Sequence, residues 1–157
     1  MIKICHVPLL AALLLSLSCV TPPPPRLSGR TDIPMLLPGD KFASWATDEE
    51  VFDNYCYYRI SKTTPSGKSI TISANKEGDP TASPSDPTVM IPEIGMVNYR
   101  HCAVGGDEER ARYKTNPFSR DDGRGGKVFY VVRVNTDDGD QEAMLKSVKW
   151  AAPGSDY

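Results

Sequence analysis

The sequence predicts a mainly β domain, a small antiparallel sheet or sandwich with long loops, and three observations carry that expectation. Ser69 to Ala74 alternates apolar Ile70, Ile72 and Ala74 with polar Ser69, Thr71 and Ser73, the period of a half-buried strand. Lys127 to Val134, KVFYVVRV, places β-branched and aromatic residues on both faces, as a central strand requires. The 157 residues include 12 Gly and 14 Pro, so turns are frequent and little helix is expected.

Taken in order, Thr47-Asp48-Glu49-Glu50 before Val51 and Phe52 has the form of a capping box and predicts one short helical turn. Phe52, Cys56, Tyr58 and Ile60 then fall on one side of an extended strand, with Asp53, Tyr55, Tyr57 and Arg59 on the other. Thr64-Pro65-Ser66-Gly67 has Pro and Gly placed for a turn that leads into the Ser69 to Ala74 strand, making a hairpin. Residues 75–87 form a polar loop with prolines at 80, 84 and 87. Thr88 to Ile91 reads as a short edge strand ended by Pro92, and Met96 to Val104 as another that bears Cys102. Asp107 to Tyr113 has acids early and basic residues late, as a brief helix prefers, and the rest of 105–127 reads as loop. Asn135 to Asp140 turns the chain. Glu142 to Trp150 is expected to pair back, with Met144, Val148 and Trp150 on one side.

The formal net charge of −2 implies no basic face for nucleic acid, so no nucleic-acid partner is expected. His101 beside Cys102 suggests a Cys-His nucleophile only superficially, because neighbours on a strand point to opposite faces. No CxxC or HxxxH spacing favours zinc, and no metal or other cofactor is expected. Asn135-Thr-Asp-Asp-Gly-Asp-Gln-Glu142 is rich in oxygen ligands, yet Val134 and Thr136 stand where an EF-hand order needs ligands. Asp138-Gly139 is first of all a hairpin signal. Gly123-Arg124-Gly125-Gly126-Lys127 shares glycines and a lysine with phosphate loops, but precedes a strand and has Val128 where Ser or Thr belongs. Tyr55, Tyr57 and Arg59, on the expected outward face, are candidate partner contacts, since Tyr and Arg are enriched at binding hot spots.

The N-terminus supplies location. Lys3 precedes the apolar run Val7 to Leu17, which is interrupted by Pro8 and ended by serines and prolines. A membrane span needs about 20 apolar residues, whereas a charged start, a short apolar centre and a small exit residue is the secretory signal pattern. Ser16-Leu17-Ser18-Cys19 resembles the lipobox of bacterial lipoproteins, with Leu15 one step further out than the family's usual leucine. The resemblance covers the first twenty residues. It implies residues 1–18 as signal peptide and acylation of Cys19, which becomes the new amino terminus. With Val20 rather than Asp after the cysteine, it implies the outer membrane, periplasmic side, of a Gram-negative bacterium.

Residues 19–40 then read as the lipidated cysteine and a tether. Pro22 to Pro25 favours polyproline II at about 3.1 Å per residue. Residues 41–157 are left as a single β-rich periplasmic domain. Of four cysteines, cleavage removes Cys5 and lipidation consumes Cys19, which leaves Cys56 and Cys102 as an expected disulfide across a long loop. The function expected is that of a non-enzymatic protein-binding module, held to the membrane by its lipid. Its partner would be another envelope or secreted protein, in a secretion or assembly role or as an immunity or inhibitor protein. The alternative is an envelope hydrolase acting on peptidoglycan or another glycan through Asp or Glu, although no pair of acids stands out.

Overall fold

The computed structural model describes residues 33–51, 56–78, 83–102 and 112–151. Among them the strands are β1 (Leu36–Leu37), β2 (Ala46–Val51), β3 (Cys56–Thr63), β4 (Ser69–Asn75), β5 (Thr88–Ile91), β6 (Gly95–His101), β7 (Tyr113–Thr115), β8 (Phe118–Asp121), β9 (Lys127–Asn135) and β10 (Lys149–Trp150). A 3-10 turn (Asp40–Phe42) follows β1, and one helix, α1 (Gln141–Leu145), precedes β10. Eight strands form one antiparallel sheet in the order β2-β3-β4-β9-β7-β6-β5, with β8 also lying along β9, while β1 and β10 form a separate two-stranded ribbon. The fold is mainly β, as the sequence predicts.

Alternation decides the faces. Tyr58 and Ile60 on β3, Ile70, Ile72 and Ala74 on β4, and Val128, Tyr130, Val132 and Val134 on β9 are all buried on one side, with Ile72 opposite both Ile60 and Val132. Val97 and Tyr99 on β6 and Val89 and Ile91 on β5 extend the same core. Thr64-Pro65-Ser66-Gly67 closes the β3–β4 hairpin: the Gly67 amide donates to the Thr64 carbonyl at 2.9 Å, and Gly67 adopts φ +87°, a region closed to most side chains.

The core face is covered by β1, β10, the 3-10 turn, α1 and the segments that flank them, which contribute buried Ile33, Met35, Leu36, Leu37, Phe42, Met144, Leu145 and Val148. The folded domain therefore takes in residues 33–40, which the sequence assigned to the tether. A buried tyrosine fixes this cover. The Tyr58 hydroxyl accepts from the Leu36 amide at 2.7 Å and donates to the Leu36 carbonyl at 2.9 Å, so one side chain of the sheet satisfies both backbone groups of a buried ribbon residue. The Tyr130 hydroxyl donates to the Pro34 carbonyl, and the Trp150 ring stands edge-on to Tyr130 with centroids 5.1 Å apart.

Four expectations are corrected. Residues 46–51 form a strand, not a helical turn, because β3 supplies a full ladder from Ala46↔Thr63 to Val51↔Tyr58, whereas a capping box carries only local preference. Within 105–127, expected to be mostly loop, β7 and β8 form, because the second edge of β9 gives them partners from Tyr113↔Val134 to Asp121↔Lys127. Glu142 to Trp150 does not pair back on β9, whose edges are occupied by β4 on one side and β7 and β8 on the other. Gly139, at φ +103°, turns the chain into α1, whose Met144 and Leu145 reach the core, as does Val148 in the segment that follows the helix.

The fourth correction is the disulfide: neither Cys56 nor Cys102 is in one. Cys56 stands opposite Asn75, which faces Phe129 on β9, whereas Cys102 follows His101, opposite Tyr113 and hence Val134. Four strand spacings and, at right angles to them, five residues along β9 separate the two, roughly 25 Å within the sheet, against about 6 Å between Cα atoms in a disulfide. Expected helix within 107–111 and strand at 103–104 lie outside the described residues, as do Phe52 and Tyr55.

Two outcomes follow. Tyr58→Phe will lower stability by about 2 kcal/mol through the Leu36 groups it leaves buried without their partner, read as a lower denaturant midpoint at unchanged slope. In a Cys5→Ser, Cys19→Ser chain unfolded without reductant, both Cys56 and Cys102 will label with a thiol reagent, and reductant will leave the melting temperature of the folded chain unchanged.

Candidate functional site

Residues singled out by the sequence are scattered. Cys19 and Tyr55 lie outside the described residues. A register shift between Cys56 and Tyr58 breaks the alternation of β3, as a bulge does. Tyr57 consequently packs against the core cluster, with the Lys76 ammonium 5.6 Å from its ring centroid. Arg59 is exposed on the outer side and pairs with Glu50 across the β2–β3 ladder at 3.1 Å. The shared outward face expected for Tyr57 and Arg59 is thus absent. Cys56 turns its Sγ to the Tyr58 and Ala74 carbonyls, each at 3.1 Å. Burial pushes its thiol up in pKa, against the opposing pull of the Arg59 and Arg133 guanidiniums, which is the wrong direction for a nucleophile.

His101 is exposed and stands edge-on to the Tyr113 ring, centroids 5.1 Å apart. In the acidic segment, Lys68 holds Asp137 and Asp140 at 3.2 Å each, and Asp138 accepts from the Tyr113 hydroxyl. The Thr136 hydroxyl is buried without a hydrogen-bond partner, but no group of three or more metal-ligating residues is found among the described residues. Gly123 to Lys127 is the tight β8–β9 connection. Asp122 Oδ1 accepts from the Arg124 and Gly126 amides at 2.7 and 2.9 Å, which holds its carboxyl below the usual range.

What the fold does bring together is an apolar pair at one end of the sheet. Met90 on β5 and Met96 on β6 are directly opposite each other and are 54% and 59% exposed, the exposed large hydrophobic residues among those described. Their neighbours Val89, Ile91 and Val97 are buried, so the alternation that sends these into the core sends both methionines to solvent. The β5–β6 connection is a tight turn in which the Ile94 amide donates to the Ile91 carbonyl at 3.1 Å. Pro92 leads it, and Glu93, at φ 62°, is the non-glycine residue held in the left-handed region among those described. Such a backbone costs about 1 kcal/mol or more, a strain located beside the exposed pair. The sequence signal for the pair was available: Met90 shares the polar phase of Thr88, and Met96 that of Asn98 and Arg100.

The other face of β6 is braced by polar contacts. Tyr99 donates from its hydroxyl to Glu142 Oε1 at 3.2 Å, tying β6 to α1. Burial, then the charge of Glu142, raises the Tyr99 pKa; the hydrogen bond to Asp138, then burial, raises that of Tyr113. Lys146, 3.0 Å away, and then Tyr99 hold the Glu142 carboxyl low. Against family models, curated proteins and solved structures the chain gives no match.

These shifts set a pH dependence. A lowered Glu142 contributes stability above its ordinary value of 4.5, lost as pH falls through the lower folded value. The raised tyrosines contribute below 10.0, lost as pH rises through their folded values. In melting temperature against pH, Glu142→Gln will flatten the acid limb, by a small amount because solvent screens the pair, and Tyr99→Phe will flatten the alkaline limb.

Proposed function

We propose that this chain is a lipid-anchored protein of the bacterial envelope whose folded domain binds another protein through the β5–β6 end of its sheet. The observation that carries the binding role is the opposed, solvent-facing pair Met90 and Met96. Methionine is flexible and polarizable, and recurs at surfaces that accept varied partners. An exposed apolar pair rimmed by polar Thr88, Asn98 and Arg100 has the composition of a small contact site. The anchoring half of the proposal rests on the Cys19 lipobox resemblance, and the outer membrane on Val20 after it.

Neither carboxylate with a resolved shift is suited to be the general acid of a hydrolase. Asp122 and Glu142 are both moved downward, opposite to the direction a general acid needs. Tyr57 and Arg59, the earlier contact candidates, serve the core and the β2–β3 ladder in the described fold.

The test is site-specific photocrosslinking from position 98 in intact membranes, using the full lipidated chain. Met90→Glu with Met96→Glu will reduce the crosslinked partner by about tenfold or more, the loss of roughly 1.4 kcal/mol of contact. Unchanged crosslinking by that variant would sink the binding site. Cys19→Ala will move the chain out of the membrane fraction, and its retention there would remove the anchor.

A further inference from the structure

The two ends of the eight-stranded sheet differ in a way that bears on what binds. At one end, β2 carries consecutive acids, Asp48, Glu49 and Glu50, and charge on an edge strand discourages addition of another strand. At the other, β5 reads Thr-Val-Met-Ile, uncharged, and among the described residues it pairs only with β6.

The hydrogen-bond phase of β5 is set by one contact. The Tyr99 amide donates to the Pro87 carbonyl at 2.9 Å, which makes 87 and 99 a hydrogen-bonded pair. In an antiparallel ladder such pairs alternate, so Val89↔Val97 and Ile91↔Gly95 are hydrogen-bonded pairs too. The N–H and C=O of Thr88 and Met90 therefore point away from β6, to the open side. Their side chains lie on the solvent face, that of Met90 beside Met96. One short edge thus offers two outward donors, two outward acceptors and an apolar contact.

Charge identifies the occupant. Asp86 and Glu93 flank β5 at its two ends, and neither is in an ion pair among the described residues. Antiparallel pairing of two copies about Val89 would bring Asp86 of one copy toward Glu93 of the other, like charge against like. A strand with basic ends would meet opposite charge at both.

We propose that β5 is an acceptor edge for an extended segment of a partner protein. The segment adds as a further strand to Thr88 and Met90, lays an apolar side chain against Met90 and Met96, and carries Lys or Arg at each end toward Asp86 and Glu93. Main-chain bonds supply affinity and the side-chain contacts supply selection, as in other strand additions. This rests on the binding site proposed above and specifies its mode.

The probe is the acetylated, amidated hexapeptide Lys-Val-Thr-Val-Thr-Lys, set against its Glu-ended counterpart and a version N-methylated at alternate amides, each added to the purified full chain. The Lys-ended peptide will bind about tenfold more tightly than either control and will slow hydrogen exchange at the Thr88 and Met90 amides. Thr88→Pro removes an outward donor while sparing the bonds to β6, and will abolish that binding. The N-methylated peptide tests the same bonds on the unaltered protein. Equal affinity for the three peptides, binding without slowed exchange at Thr88 and Met90, or no binding would overturn strand addition. A dimer in sedimentation that Thr88→Pro dissociates would overturn the choice of partner. Crosslinking lost with Met90→Glu and Met96→Glu but kept with Thr88→Pro removes strand addition alone; crosslinking kept with both removes the underlying site as well.

Discussion

Strand β9 has partners along both edges, and the rest of the molecule is arranged around that saturation. β4 pairs with it from Ser69↔Asn135 to Asn75↔Phe129, and β7 and β8 take the opposite edge in succession. A chain leaving such a strand cannot return beside it. After Asn135 it must leave the sheet, so residues that alternate well enough for a strand turn at Gly139, form α1 and reach the core from above. β10 then finds its hydrogen bonds with β1, the segment just before the 3-10 turn. The ribbon so formed joins the two ends of the described chain and is held to the sheet by Tyr58 and Tyr130, whose hydroxyls bond backbone of residues 34 and 36. Buried backbone polar groups need partners, and here side chains of the sheet provide them where strand pairing does not.

A sheet ordered around a saturated centre keeps its open backbone groups at its ends. The β2 end is guarded by acids and by cross-strand contacts such as Arg59 to Glu50 and Lys62 to Thr47. The β5 end is short and bounded by Pro87 and Pro92, which limits pairing to four residues, yet it carries no charge of its own. Its hairpin holds a strained Glu93 and presents two methionines, while Tyr99 on the reverse side fastens β6 to α1. Rigid backing, an uncharged edge and a small apolar contact are the ingredients that a strand-accepting surface requires, and this is the physical basis of the proposed binding role.

Much of the fold was legible residue by residue. The strict alternation at 69–74, the two-sided apolar run at 127–134, the Thr64 to Gly67 turn and the short edge strand at 88–91 all follow from periods and turn chemistry contained in a few consecutive residues. The errors share a cause. Thr47 to Glu50 carries a helical signature but pairs with β3. Asp138-Gly139 is a hairpin signal whose would-be partner was already taken. Cys56 and Cys102 were paired by counting, and the sheet holds them four strands apart. Of the contact candidates, Tyr57 was misplaced by a one-residue bulge, whose extra residue leaves the regular alternation that Tyr58, Arg59 and Ile60 keep.

By itself, then, the sequence determined the β class, the identity of the central strand, the principal hairpin and the character of the edge at Thr88 to Ile91, because local alternation and turn residues need no knowledge of distant partners. Only the tertiary structure decided that Ile33 and Met35 to Leu37 belong to the core, that 141–145 is helical, that the two cysteines stay apart and that Met90 meets Met96 on the solvent face. Each depends on which strand edge is already occupied when a segment arrives, a property of the assembled sheet that no window of the chain contains.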